Sequence, residues 1–337
     1  MLFRSVVYWG DQDADEVHEL YSVPIDGSTG PDKRSGSLVS SGDVERDFAI
    51  SPDSSRIIFR ADKGVDGLIE LYSVPLYGST SPVTLNGPLI PAGRVFRFQI
   101  SPDSNRVLYL ADEDTDDVWE LYSAPLEGGS LPVKLNPPLT SGKNIFEFQV
   151  TPDSTRVIYH ADQVNDEVYE LGSVPIEGGA AVRLNGPLAA AGDVDQEFLI
   201  SPDSTRVVYR ADQNADEVYE LYSVRVDGSE RVRLNGPLIL GGDVEDDYQI
   251  APDSSRVVYP APEESLASFD LFVTPIDGSG EPDQLSGDLV AGGSVQYFVI
   301  SPDSQWVAYM ADQDTDEVNE LYVVSIDGGE PEKLNAN

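Results

Sequence analysis

The chain has 337 residues, 60 Asp and Glu against 21 Lys and Arg, a net charge of −39, two histidines and no cysteine. Such a balance argues against sequence-independent nucleic-acid binding, which needs cations to neutralise phosphates, and against docking on an anionic membrane. Disulfides and a histidine-rich metal site are excluded, no apolar run reaches the roughly 20 residues of a membrane span, and no leader of the secretory type is expected.

In chain order, the first element is a β-branched run ending in an aromatic at Tyr8. It is the first of seven such runs, which end at Tyr8, Phe59, Tyr109, Tyr159, Tyr209, Tyr259 and Tyr309. Six of them follow a turn motif: SPDS at Ser51, Ser101, Ser201 and Ser301, TPDS at Thr151 and APDS at Ala251, a period of 50 residues. A complete unit reads as four strand-sized runs: a (type 198–200), b (206–209), c (220–224) and d (232–234). An acidic stretch separates b from c, Asp227-Gly228 separates c from d, and a Gly-rich connector leads to the next a. Asp-Gly is hairpin chemistry, because glycine tolerates positive φ. No segment carries a sustained helical period. One four-stranded sheet cannot bury both its faces, whereas repeated sheets bury each other as propeller blades.

The run SPDS-x-R-V-V-Y followed by E-L-Y-S-V-P-[IL]-[DE]-G resembles the TolB-like β-propeller repeat, a relative of the WD-repeat blade, over essentially the whole chain. The resemblance implies an all-β, seven-bladed β-propeller of four-stranded antiparallel blades. It implies one domain, 1–337, with units near 1–40, 41–90, 91–140, 141–190, 191–240, 241–290 and 291–337, strand a innermost, and an extracytoplasmic setting. No single activity follows, because such propellers serve as partner-binding platforms, as domains of peptidases and as lyases. Runs b, c and d occur seven times but a only six times, around Phe48, Phe98, Phe148, Phe198, Tyr248 and Phe298. The first blade is therefore expected to lack its inner strand. Either the ring closes without it, or the chain is a fragment or truncated frame, which would be prone to self-association through that open blade.

Antiparallel order puts the SPDS and Asp-Gly turns on one face and the b–c loops and d–a connectors on the other. More than half of the 60 acids fall on the second face. That field attracts cations and steers basic partners, or keeps a repeat protein soluble. The reading is a non-enzymatic binding or scaffold propeller for a protein, cation or glycan partner, with no nucleic acid and no membrane span.

The sharpest local motif is Asp-x-Asp-x-Asp in the b–c loop, complete at Asp11/Asp13/Asp15, Asp112/Asp114/Asp116 and Asp312/Asp314/Asp316. Alternating carboxylates can converge on calcium, which takes six to eight oxygens. The helix-loop-helix calcium motif needs glycine at its sixth position, where this chain has Glu16, Asp117 or Glu317. No cofactor is required on the main reading, and a calcium-stabilised propeller is the alternative. Elsewhere the pattern weakens to Asp62/Gly64/Asp66, Asp162/Val164/Asp166 and Asp212/Asn214/Asp216. The recurring Glu19, Glu70, Glu120, Glu170, Glu220 and Glu320 and the SPDSxR arginines suggest a Glu–Arg pair. The SPDS aspartates are expected to accept N–H groups of their own turn.

Breaks in the repeat mark the remaining candidates. Arg94, Phe96, Arg97 and Lys143 replace acids in two d–a connectors and suit a carboxylate or sugar-acid ligand, or balance neighbouring acids. The sixth unit replaces its acidic loop with a stretch from Pro260 to Phe269, whose Leu266 and Phe269 suit a partner contact. Trp9 and Trp119 flank b–c loops and suit packing or sugar stacking. His18 and His160 read as strand variants. With no cysteine nucleophile, two isolated histidines and no phosphate loop, catalysis has little to stand on. The enzymatic alternatives are a polyuronate lyase, a glycan-processing enzyme or the propeller of a peptidase.

Overall fold

A computed structural model describes residues 5–335 except 14, 79, 166, 263, 264 and 267. Asp166 of the fourth acidic loop, and Glu263, Glu264 and Ala267 of the sixth, thus lie outside the described residues. All regular structure among the described residues is β, in seven antiparallel sheets. The first sheet has three strands, Ser5–Gly10, Glu19–Pro24 and Asp32–Lys33. The second has four, Val44–Ile50, Arg56–Ala61, Glu70–Pro75 and Val83–Thr84, hydrogen-bonded in chain order. Five more repeat that plan. The protein is a seven-bladed β-propeller whose first blade has no strand a among the described residues. The chain divides into two compact units, Met1–Val157 with Val174–Ala181, and Ile158–Ser173 with Val182–Asn337.

The blades form where the sequence alternates. Strand b is the buried heart of each: Val107, Leu108, Tyr109 and Leu110 are all shielded. Tyr109 lies opposite Tyr122 of strand c, and the rings stack at 5.4 Å. Hydrophobic clusters draw on successive blades. One in the first unit joins Ile58, Leu71 and Leu85 to Val107, Tyr109 and Tyr122. One in the second joins Val208, Leu221 and Leu234 to Val257 and Tyr259. Burying each sheet against the next is what a single sheet could not achieve alone. Strand c stops at Pro24, Pro75, Pro125, Pro175 and Pro275, where a missing donor is tolerated.

The SPDS turn closes as expected and does more. Ser51 Oγ donates to Asp53 Oδ1 at 2.6 Å, and the Ser55 N–H donates to the same oxygen at 3.0 Å. These donors hold the Asp53 carboxyl below the usual range, the Ser51 hydroxyl first. The last serine of the motif sits in the left-handed region, with φ of 62° at Ser104. That conformation aims Ser104 Oγ at the preceding blade, where it accepts the Asp53 N–H at 3.1 Å. Ser254 does the same for Asp203 and Ser304 for Asp253, both at 3.0 Å. The fourth residue of SPDS is therefore a staple between successive blades.

The sixth blade departs from the plan. Its strand a is cut to Gln249–Ile250, against six or seven residues in the other blades that have one. The cause is local: Pro260 in strand b has no N–H to donate to the ladder. Its carbonyl still takes the Glu245 N–H at 3.0 Å.

Candidate functional site

The acidic loops sort into carboxylates the fold consumes and carboxylates it presents. The first Asp is consumed in several of these loops. Asp312 accepts the Ser294 N–H at 2.6 Å on Oδ1 and the Glu317 N–H at 3.1 Å on Oδ2. Asp62 does the same with Asp43 and Gly67, at 2.5 and 2.9 Å. Asp112 takes the Arg94 N–H at 2.5 Å. Asp112 and Asp312 are buried, and burial pushes the Asp112 carboxyl up. Asp11 is exposed.

The middle Asp answers to a lysine. Asp13, Asp114 and Asp314 pair with Lys33, Lys134 and Lys333 of strand d, at 3.2, 2.5 and 3.0 Å. Each lysine also grips the buried glutamate of strand c: Glu19, Glu120 (2.6 Å) or Glu320. Where the middle residue is Val164 or Asn214, strand d carries Arg183 or Arg233 on Glu170 or Glu220, at 2.7 and 2.6 Å. The three complete Asp-x-Asp-x-Asp loops are thus the three blades with lysine in strand d. The motif follows the length and donor geometry of the opposing cation.

Two sequence expectations change here. The repeated glutamates pair with strand d and with tyrosine hydroxyls, such as Tyr122 at 3.1 Å, not with the SPDSxR arginines. Several of those arginines reach the serine of strand c: Arg56 Nε donates to Ser73 and Arg106 Nε to Ser123, at 2.6 and 2.7 Å, whereas Arg256 pairs with Asp327. The calcium set is split rather than gathered. Asp112 and Asp312 face backbone N–H groups, Asp114 and Asp314 face lysines, and Asp15, Asp116 and Asp316 face solvent. Among the described residues no group of three or more His, Asp or Glu is placed to hold a metal ion.

Connector acids are partly consumed as well. Asp43, Asp193 and Asp243 accept the N–H of His18, Tyr169 and Tyr219, at 2.6 to 2.7 Å. The loop acids left exposed include Asp15, Glu16, Asp116, Asp117, Asp216, Glu217, Asp316 and Glu317, with Asp246 and Asp247 from a connector.

The cationic candidates divide in two. Arg97 donates to Glu147 at 2.6 Å and lies over the Phe148 ring at 4.9 Å, so it is an internal ion pair. Arg94 is exposed and stacks on Phe96 at 4.8 Å. Phe96 meets Trp119 at 4.7 Å, and Trp119 meets Phe146 at 6.4 Å. Lys143 is half-buried in the same connector as Asn144, whose Oδ1 caps the Trp119 N–H at 2.7 Å. Arg94, Phe96, Trp119 and Phe146 therefore form one aromatic patch, while Arg97 belongs to the scaffold.

A further pattern escapes sequence reading. Trp9, Arg60, His160 and Arg210 share one position at the end of strand b. Each donates to the carbonyl of an equivalent valine in the next blade, which opens strand a at Val44, Val95 and Val194 and precedes the shortened strand at Val244, at 2.6, 2.7, 2.9 and 2.6 Å. His160 must therefore carry its proton on Nε2. These four side chains, of three chemical kinds, are one latch. The signal that could have found them is the shared register, not the residue type.

The seven antiparallel sheets define an all-β propeller, and its repeat resembles that of TolB-like propellers. No family model and no curated protein matches the chain. Among solved structures, a candidate TolB from Agrobacterium tumefaciens is 20% identical, covering 85% of this chain and 91% of that one, with a TM-score of 0.38. An oligogalacturonate lyase in complex with manganese is 13% identical over 98% of this chain and 84% of its own, TM-score 0.47. A prolyl endopeptidase is 11% identical over 98% of this chain but 48% of its own length, TM-score 0.49. At these identities the likeness is one of fold.

Proposed function

We propose that the protein is a non-enzymatic binding propeller whose acidic loop face recruits a basic partner. One observation supports this most: the fold uses its own cations on inner carboxylates and leaves the outer ones exposed. Lys33, Lys134 and Lys333 are spent on the buried glutamates and middle aspartates, and Arg60 and Arg210 on Asp47 and Asp195. The remaining loop acids outnumber the exposed Arg46 and Arg94 and give a predominantly negative surface that accelerates encounter with positive partners. Binding of labelled decalysine by fluorescence anisotropy tests the reading. The expected outcome is association at about 50 mM salt that weakens at least about tenfold by about 300 mM, as screening demands. Absence of binding at low salt would overturn it.

A second reading, a glycan bearing a carboxylate, is favoured by the patch of Arg94 over Phe96 beside Trp119 and Phe146. Arginine supplies a fork for the carboxylate and the rings a stacking surface. Digalacturonate should bind wild type and lose affinity in Arg94→Ala. Equal binding by both proteins would reject the patch.

A further inference from the structure

Three blades carry, ahead of the strand-a aromatic, an acidic three-residue insert where the other blades have two residues: Glu45-Arg46-Asp47, Asp195-Gln196-Glu197 and Glu245-Asp246-Asp247. In two of them the blade supplies a guanidinium to meet it. Arg60 pairs with Asp47 at 2.8 Å and donates to the Val95 and Phe96 carbonyls of the next blade, at 2.7 and 2.5 Å. Arg210 pairs with Asp195, donates to the Val244 carbonyl at 2.6 Å, and lies 5.2 Å from the centre of the Tyr219 ring. The recipe is a carboxylate at the first or third insert position, a backbone carbonyl of the next blade and, in the fifth blade, a ring floor.

The sixth blade keeps the recipe and loses the arginine. Its insert has acids at all three positions, so both carboxylate seats used by the sister blades are present in Glu245 and Asp247. Phe269 stands where Tyr219 does, and Val295 where Val95 and Val244 do. In place of the arginine is Pro260. A cavity of about 430 Å³ opens there, lined by Glu245, Asp246, Asp247, Pro260, Phe269 and Val295 among others. Among the described residues, none of the three acids makes an ion pair. The nearest cation, Arg210, is committed to Asp195 and Val244.

We propose that this cavity is a binding site for an incoming guanidinium, the arginine side chain of a basic partner. The inference rests on the reading of the loop face as a binding face and names its specific pocket. The equivalent residues of two other blades in the same chain ligate a guanidinium, and the sixth blade has a cavity where theirs is filled. Arginine fits better than lysine, because the sister seats use its several donors at once on a carboxylate and on carbonyls. The flat cation also suits the Phe269 ring.

The test is calorimetric titration of the full chain with acetyl-Gly-Arg-Gly-amide and its citrulline counterpart, which keeps shape and loses charge. Wild type should prefer the arginine peptide by at least about tenfold, the worth of one charge-assisted contact. Pro260→Arg, which restores the sister-blade residue, should abolish that preference, as should Glu245→Gln with Asp247→Asn. Equal binding of the two peptides by wild type, or a preference that survives either variant, would overturn the proposal. Should Pro260→Arg fail to fold, the double carboxamide variant decides alone. Decalysine in parallel separates the two readings. Decalysine binding without arginine preference rejects the pocket and keeps the face, and failure of both probes rejects both.

Discussion

The fifth and sixth blades share a length, a turn motif and an acidic connector, and differ most at one residue. In the fifth, Arg210 ties its own strand a, the next blade and Tyr219 into one polar contact. In the sixth, Pro260 supplies neither the cation nor an N–H, strand a shrinks to Gln249–Ile250, and a cavity of about 430 Å³ appears. The comparison teaches that a carboxylate in this repeat is structural or available according to whether the neighbouring strand supplies its counter-ion. The number of acids alone says little.

The sharpest way to break the comparison is to turn one blade into the other. Arg210→Pro should cost about 3 kcal/mol or more, because it strands a partly buried carboxylate and removes a ladder donor. Urea unfolding reads the loss, and a change under about 1 kcal/mol would show the latch to be ornamental. The opposite face offers a control. Ser254→Ala and Ser304→Ala remove equivalent staples to Asp203 and Asp253. Each should cost about 1 kcal/mol. Matching losses would confine the sixth blade's divergence to the loop face, whereas a silent Ser304→Ala would show that it reaches through the blade.

A smaller effect follows from pH. Burial, then the neighbouring acids, pushes the Glu245 and Asp247 carboxyls up, with Arg210 opposing. A carboxyl raised in the folded state contributes stability that is complete below its unfolded pKa and is lost as pH rises through the folded value. Stability should therefore decline from the ordinary carboxylate range upward. Asp247→Asn should flatten part of that decline and raise the thermal midpoint at neutral pH. Glu113 behaves alike: burial lifts its carboxyl while it takes the Tyr109 hydroxyl at 2.8 Å, and sister blades place Gln163, Gln213 and Gln313 there. Glu113→Gln should stabilise at neutral pH and leave the decline caused by the sixth blade in place. The smallest expected effect is that of calcium. Chelator-treated protein should melt at the same temperature in calcium and sodium chloride at matched ionic strength, since the aspartates of each loop are split among N–H groups, lysines and solvent. A rise specific to calcium would return Asp11, Asp112 and Asp312 to the metal reading.

The strand runs, the SPDS turn and the short first blade were legible because they depend on local chemistry repeated every 50 residues. Asp53 accepting from its own turn needs nothing beyond its neighbours. The aromatic and acidic breaks were visible as breaks, but their meaning was not. Arg94 and Arg97 look alike in sequence, yet one is exposed on Phe96 and the other is paired with Glu147 on the next blade. Trp9 and His160 looked like unrelated exceptions until their shared acceptor, the first residue of the following strand a, came into view.

The sequence by itself determined the blade, because alternation, turn residues and proline placement act within a few residues of each other. Tertiary structure alone decided which charges are spent. Lys134 lies 20 residues from Asp114 and 14 from Glu120, and Arg60 lies 35 from the Val95 carbonyl it caps. Such partners meet only when strands pair and blades stack, and their meeting separates a counted carboxylate from an available one.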